Sequence, residues 1–439
     1  MSAPSILWFR RDLRLDDHPA LAAAAADGPV VPVFVLDPAL ADAGARVDAL
    51  HACLRSLSDA MDGALVVRSG DPAVEIPRLV SETGATAVHV TGDFAPYGRR
   101  RDKRVAAALD VPLVSTGTPY AVPPGAVLNG KDQPYQVFSA YCRAWRERGW
   151  PSPVDAVDVS WVRDVAGVDV PETPLSLSPE AALERWHEFL DDSLSAYSSD
   201  RDRPDVDGTS RMSIALKFGL VHPRTLLADL GRRARSDHAR KLGDELCWRE
   251  FYADVLFHHP RSAWHDLRDA LAGMEYADPA SPEVAPLVEA WREGRTGFPI
   301  VDAGMRQLRE EGWMHNRVRM ITASFLVKDL HVWWPLGARH FLDLLYDGDI
   351  ASNNHGWQWV AGTGTDAAPY FRVFNPTTQG RKFDPQGDYV RRYVPELRHI
   401  SGAAVHEPGD QRGDYPEPIV DHAVERRVAL ERYQAARST

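Results

Sequence analysis

Cysteine is scarce in this chain. Three residues in 439, the widely spaced Cys53, Cys142 and Cys247, make neither a disulfide framework nor a zinc site. Long apolar runs are missing as well. No stretch approaches the ~18 uninterrupted apolar residues of a membrane span, and the opening MSAPSILWFRRDLRL has no extended apolar core, so a soluble, cytoplasmic protein is expected. Nor is there an excess of positive charge. Fifty Lys and Arg against 62 Asp and Glu give a net charge of −12, which argues weakly against a nucleic-acid partner, although a basic face can sit on an acidic protein. No G-x-G-x-x-G follows the first strand and no G-x-x-x-x-G-K-[ST] occurs, which excludes an ordinary dinucleotide or P-loop domain. Internal repeats and low-complexity tails are absent.

What the chain has is length and two distinct textures. At 439 residues it should hold two or three domains, given roughly 100–200 residues per domain. The first third reads as α/β. Ile6–Phe9, Val30–Leu36, Ala64–Arg68, Ala87–Thr91 and Leu113–Ser115 are short apolar runs bounded by Gly, Pro or Asp, with helical stretches such as Leu21–Ala26, Arg46–Met61 and Arg101–Leu109 between them. That alternation implies a Rossmann-like parallel sheet with helices on both faces. From Pro119 to about Pro179 proline and glycine recur around one helical island near Val137–Glu147, as in a long connector wrapped over the surface. Strand signals then vanish. Ala181–Leu190, Ser210–Phe218, Pro223–Ala234, Gly243–Phe257, Pro282–Glu293, Ala303–Glu311, Asn316–Lys328 and Gly337–Leu345 read as helices. The expected division is an α/β domain over 1–128, a connector over 129–177 and an all-α domain over 178–439.

The unusual chemistry lies in the helical part. From Gly297 to Asp384 the chain reads GFPIVDAGMRQLREEGWMHNRVRMITASFLVKDL, then LLYDGDIASNNHGWQWVAGTGTDAAPYFRVFNPTTQGRKFD after a short spacer. A plain Trp-rich core rarely tolerates so many arginines and carboxylates. The mixture suits a planar, polar, redox-active ligand, whose rings need apolar faces and whose edges need fixed donors and acceptors. Upstream, Thr209 and Ser210 follow Gly208 where a helix should begin, a place suited to a diphosphate or to simple capping. In ELCWREFY, Glu245, Trp248 and Arg249 stand at i, i+3 and i+4 on one helix face, as on many surface helices.

WFRRDLRLDDHPAL at Trp8, DGTSRMS, ELCWREFY, GWMHNRVRM, DGDIASNNHGWQW, TGTDAAPYFRVFNPTTQG, RHISGAAVHEP and YPEPIVDH together resemble the photolyase/cryptochrome family over nearly the whole chain. The resemblance implies an N-terminal α/β domain and a C-terminal helical domain that holds FAD in a U shape. Carried over residue by residue, Tyr197, Thr209, Ser210, Arg211, Met212 and Ser213 resemble the phosphate and ribityl contacts, and Arg249 a further phosphate ligand. Arg319 and Asp347 resemble the ion pair beside the isoalloxazine, with Asp349 at its polar edge and Asn353 facing N5. Such a set suits reduced, anionic FAD, which carries charge near N1 and needs an uncharged amide at N5.

The family divides into repair enzymes and light-signalling proteins. Met320 after Arg319, and the order MHN around His315, are similar to the class I enzymes that repair cyclobutane pyrimidine dimers; a blue-light receptor without repair is the alternative. Glu245, with Asn316 beside it, resembles the acid that bonds the dimer carbonyls, and these two also border the cofactor. Trp248 and Trp359 resemble the aromatic clamp. The implied reaction is light-driven electron transfer to a flipped dimer, with Arg201, Arg317, Arg372 and Lys382 on the DNA rim and UV-damaged DNA as the partner of a monomer. No metal and no membrane are expected.

Two positions depart from the family. Trp357 and Trp334 match the first two members of its tryptophan electron path, but the third falls in MEYADPASPEVAPLVEAW, where Tyr276 is the nearest aromatic, and Leu242 stands where a tryptophan often lines the FAD pocket. Family members often hold an antenna chromophore. Where folate binders carry Asn-Glu this chain has Tyr97-Gly98, and GDFAPYGRRRD, GARVDALHACL and ALKFG resemble deazaflavin binders. Arg46, Asp93 and Lys217 then become contacts for 8-hydroxy-5-deazaflavin, with methenyltetrahydrofolate the less favoured antenna.

Overall fold

The computed structural model describes residues 3–366 and 372–438. The segment 367–371, which includes part of the TGTDAAPYFRV motif, lies outside the described residues. The chain forms two compact units, one of Met1–Asp191 with Ser210–Pro260, the other of Asp192–Thr209 with Arg261–Thr439.

The first unit is built on a five-stranded sheet of β1 (Ser5–Phe9), β2 (Val30–Leu36), β3 (Val66–Ser69), β4 (Val88–Val90) and β5 (Leu113–Ser115), in the order β3-β2-β1-β4-β5. Every pairing is parallel, with Ile6 opposite Val31 on one side and Val88 on the other. SILWF in β1 is buried throughout, as expected of a central strand covered on both faces. The strand order reverses between β1 and β4, so the carboxyl ends of these two strands frame a topological switch point. Arg10 and Asp12 leave β1 there, and Thr91 and Asp93 follow β4.

The connector is tied to the sheet as well as covering it. Val30 N–H donates to Ser160 O at 2.9 Å, and Val162 N–H returns a bond to Val30 O at 2.8 Å. Its helical island is the Phe138–Arg148 helix. The long Asp237–His258 helix starts earlier than the Gly243 expected from periodicity, because Ser236 caps it by accepting from Ala239 N–H. A second boundary differs for a backbone reason. The helix expected from Ser210 begins at Ser213, since Arg211 has φ 53°, the left-handed region that no α-helix continues through.

The second unit is helical around a core that includes Trp291, Met305, Leu308, Phe325, Trp334, Phe341 and Tyr389. The segment expected as one helix from Asn316 to Lys328 is α-helical over Asn316–Ser324 and closes in a π-helical turn over Phe325–Asp329. The following helix, Trp334–Leu344, starts three residues before the expected Gly337 because Pro335 suits a first turn. Helices at Ile350–Ala361, Pro376–Phe383, Asp388–Tyr393 and His422–Ser438 lie outside the segments that the sequence marks as helical. Among the described residues no helix is long and apolar enough to cross a membrane.

Candidate functional site

In the first unit the Asp237–His258 helix presents Glu245, Trp248 and Arg249 as half-buried side chains. Trp248 is stacked flat on Phe138 of the Phe138–Arg148 helix, centroids 3.7 Å apart and planes 6° from parallel, with Phe251 and Tyr252 edge-on or tilted against it. Phe138 was not singled out from sequence, since nothing local links residues so far apart in the chain. Arg249 is held by two carbonyls, Nη1 donating to Pro119 O at 3.1 Å and Nη2 to Leu216 O at 3.1 Å, with its guanidinium 4.6 Å over the Tyr120 ring. This fixes the cation beside the Ser213–Phe218 helix. Met212 precedes that helix and is buried, whereas Arg211 and Ser213 are exposed and Ser210 is half-buried.

At the switch point, Arg101 pairs with Asp93 at 3.2 Å and with Asp102 at 2.9 Å, and Arg10 pairs with Asp102 at 2.9 Å. Burial would raise the Asp93 carboxyl, but the guanidiniums of Arg101, Arg11 and Arg10 hold it below the usual carboxylate range. A Cβ on Gly98 would come 2.0 Å from Asp93 Oδ2, so only glycine leaves room for that carboxylate. Arg46 opens the Arg46–Ala60 helix with Nε donating to Ala43 O at 2.9 Å, and Lys217 lies in the last turn of Ser213–Phe218.

In the second unit the Asn316–Ser324 and Ile350–Ala361 helices carry most of the expected residues. Arg319 grips Asp347 in a fork, Nη2 to Oδ2 at 2.8 Å and Nη1 to Oδ1 at 3.2 Å, while its Nε donates to Met314 O at 2.7 Å. Asp349 caps the Ile350–Ala361 helix by accepting from Ser352 N–H at 3.1 Å. One turn on, Asn353 donates one amide N–H to Ala338 O at 3.0 Å and the other to Asn354 Oδ1 at 2.8 Å. Both donors are committed, so its carbonyl oxygen is the atom it can offer a ligand. Asn316 opens its helix exposed, and Met320 and Trp359 lie partly buried against the core. Tyr197 is buried under the Arg201 guanidinium, 5.6 Å away, and Thr209 closes the same stretch after Gly208.

Arg201, Arg317 and Lys382 come together. Asp202 lies 2.9 Å from Arg317 and 4.0 Å from Arg201, while Arg317 and Lys382 flank the Phe383 ring at 4.5 and 5.0 Å. Arg372 is exposed, and its carbonyl accepts from the buried Lys328 ammonium.

Trp357 is buried edge-on to Phe341 at 4.9 Å and Trp291 at 6.2 Å. It rests on Gly337, where a Cβ would come 2.2 Å from its Cη2, and so packs on the helix that Trp334 begins. Trp334 is fully buried and its indole N–H donates to Asp266 at 2.6 Å. Burial, then the charge of that same Asp266, push the Tyr276 phenol well above its usual range. Trp333, missed in the sequence although the Trp333-Trp334 pair is plain there, is 37% exposed and meets Trp334 edge-on at 6.2 Å.

Two family models match this chain: the FAD binding domain of DNA photolyase over residues 242–435, and DNA photolyase over residues 5–158. The deoxyribodipyrimidine photo-lyase of Streptomyces griseus is 41% identical, with 98% of each chain covered, and that of Escherichia coli K12 is 39% identical with the same coverage. Among solved structures, the bacterial class III photolyase from Agrobacterium tumefaciens superimposes with a TM-score of 0.91 at 35% identity, over 100% of this chain and 98% of that one.

Proposed function

The chain belongs to the DNA photolyase family, and from that premise we propose that it is a light-driven lyase that splits cyclobutane pyrimidine dimers in DNA with reduced FAD as its cofactor. The observation that carries this reading is the end-to-end likeness to deoxyribodipyrimidine photo-lyases, with both family models on one chain.

The donor set of the second unit fits reduced FAD. A reduced flavin is a donor at N5, and the carbonyl that Asn353 has left over is an uncharged acceptor. The Arg319–Asp347 fork brings a cation that suits a ring with negative charge near N1. Asp349 belongs at the polar edge of the ring. By the resemblance, Tyr197, Thr209, Ser210, Arg211, Met212, Ser213 and Arg249 are assigned to the phosphates and ribityl chain. When bound and excited by light, reduced FAD supplies the electron that opens the cyclobutane ring.

The remaining residues act on DNA and on electron supply. Glu245 and Asn316 bond the thymine carbonyls, Trp248 and Trp359 offer aromatic faces to the flipped dimer, and Met320 lines its approach. Arg201, Arg317, Arg372 and Lys382 contact phosphates. Trp357 and Trp334 carry electrons inward from Tyr276 or another outer ring. Residues 1–128 form the antenna-binding domain, 129–177 the connector and 178–439 the flavin-binding, catalytic part. For the antenna, 8-hydroxy-5-deazaflavin is favoured, with Arg46, Asp93 and Lys217 as its contacts. The Asp93 carboxylate occupies the space that any side chain at position 98 would need, which removes the glutamate of folate binders.

The test illuminates purified, reduced protein with a thymine-dimer oligonucleotide and follows recovery of absorbance in the thymine band. Light-dependent recovery is expected; none with flavin fully bound would overturn the enzyme reading in favour of a receptor.

A further inference from the structure

The Phe138–Arg148 and Asp237–His258 helices pack side by side within the first unit. Phe138 meets Trp248 and Phe251 at one end, and at the other the Arg146 guanidinium donates to Asp244 Oδ1 at 2.7 Å and to Arg240 O at 3.3 Å. The two helices therefore run antiparallel. Phe138, Cys142 and Arg146 follow one another at intervals of four, on the face turned to the partner helix. Asp244, Cys247 and Trp248 answer from the other side. Cys142 Sγ lies 3.4 Å from Asp244 Oδ1, and Cys247 follows Asp244 by one turn on the partner helix, between Asp244 and Trp248. Two of the three cysteines, 105 residues apart in sequence, thus meet in the fold.

Their surroundings are unequal. Cys247 is fully buried, whereas Cys142 is 7% exposed beneath the Arg146–Asp244 pair, whose side chains are 38% and 36% exposed. Cys142 thus lies nearer the surface, under a polar ion-paired rim, and Cys247 lies deeper. The neighbouring Cys247 thiol, with the Arg146 guanidinium, holds the Cys142 thiol below its ordinary range despite burial. Burial pushes Cys247 the other way. The lower-lying, more accessible thiol is the one that reacts first.

We propose that Cys142 and Cys247 form a peroxide-responsive pair that closes to an intramolecular disulfide. The Cys142 thiolate attacks one peroxide oxygen; the S–O bond forms, the O–O bond breaks, and the departing hydroxide is protonated to water. The Cys247 sulfur then attacks Cys142, forming S–S and breaking S–O. A second water leaves with the Cys247 proton, so two thiols give up two electrons and two protons to one hydrogen peroxide. The bond fastens the Phe138–Arg148 helix to the helix that carries Glu245, Trp248 and Arg249, and it closes a loop of about a hundred residues. The proposal is independent of dimer repair.

The full-length protein, with its flavin, is treated with hydrogen peroxide, then denatured, alkylated and mapped by mass spectrometry without reduction. A Cys142–Cys247 crosslinked peptide is expected. Titratable thiols should fall from three to one, and a dithiol reductant should restore them. Cys53→Ser should form the same crosslink, because Cys53 lies buried elsewhere with its thiol pushed up to about 12. Cys142→Ser should leave Cys247 alkylatable. Both thiols remaining alkylatable in the wild type, a sulfinic acid at Cys142 beside a free Cys247, or intermolecular crosslinks alone would each overturn the proposal. The wild-type map decides even if the serine variants fold poorly.

Discussion

Phe138 is stacked on one face of Trp248, at 3.7 Å and 6° from parallel. On the proposed role of Trp248 as a clamp, the stacked face is taken, so a substrate base would meet the other one, and the side chain would enter the encounter with its rotamer already chosen. Such a stack is worth ~0.5–1.5 kcal/mol. Phe138→Ala should therefore weaken binding of dimer-containing DNA by up to about tenfold, with flavin content unchanged. Titration with matched damaged and undamaged oligonucleotides checks this. An equal loss on both would place Trp248 outside dimer recognition.

Asp347 is a nearly buried carboxylate whose two oxygens are both taken by Arg319. Asp347→Asn leaves the guanidinium facing a neutral group, and removing one member of a buried pair costs ~3–5 kcal/mol, less here because the Arg319 side chain is 23% exposed. The variant should purify with sharply reduced FAD, as should Arg319→Lys, which keeps the charge but loses the fork. Flavin absorbance per protein is the readout. Full flavin in both variants would make the pair a purely structural one.

Much of this was legible from residue patterns. Apolar runs punctuated by Gly and Pro located the five strands because a covered parallel strand needs an unbroken apolar segment, and Val30–Leu36, buried over all but its last residue, matches to the residue. The Ser236 cap is also present in the sequence, but the apolar rhythm of the helix becomes regular only from Gly243. Long-range contacts were not legible. Nothing near Phe138 announces Trp248, nothing near Cys142 announces Cys247, and the reason for Gly98 lies in the Asp93 carboxylate pressing on it. Arg211 has the left-handed φ that delays its helix, an adaptation of tertiary context rather than of residue type.

Glu250 gives stability a sign that opposes ordinary acid denaturation. It is buried, accepts from Ala121 and Val122 N–H and from Trp145 Nε1, and burial pushes its carboxyl up to about 7 against 4.5 unfolded, although these bonds and nearby Arg249 pull the other way. Asp254 on the same helix is raised by burial to about 6. The buried Tyr141 hydroxyl and the Cys247 thiol also face Glu250. Because the folded state binds these protons more tightly, the contribution is fully present below about pH 4 and is lost as pH rises through 7. Glu250 alone accounts for a step on the order of 3 kcal/mol. Urea midpoints measured across this range should show a fall that Glu250→Gln flattens. An unchanged slope would mean that the carboxylate stays ionised in the fold.

Arg317 is shared between Asp202 and the Phe383 ring. If it contacts a phosphate, Arg317→Ala should weaken DNA binding and lower the salt slope by about 0.9. Asp202→Asn should do the reverse, strengthening binding by freeing the guanidinium from a competing anion. Neither change should alter the flavin spectrum. Opposite signs for the two variants identify a phosphate contact; parallel losses would identify an ion pair that only supports the fold.

Trp357 rests on the helix that Trp334 begins, and Trp334 bonds Asp266, whose charge also acts on Tyr276. A terminal donor is left with a positive hole that water must stabilise. Tyr276 must in addition shed its proton, and burial together with Asp266 makes that difficult. Trp333 stands edge-on to Trp334 with more than a third of its surface in solvent, so it meets the physical requirement better than Tyr276. Trp357→Phe and Trp334→Phe should each block light-driven reduction of oxidised flavin while leaving repair by chemically reduced protein intact. Trp333→Phe should shorten the lifetime of the tryptophan radical seen by transient absorption and lower the yield of reduced flavin, whereas Tyr276→Phe should behave as wild type. A tyrosyl signal that disappears in Tyr276→Phe, with Trp333→Phe unaffected, would return the terminal role to Tyr276.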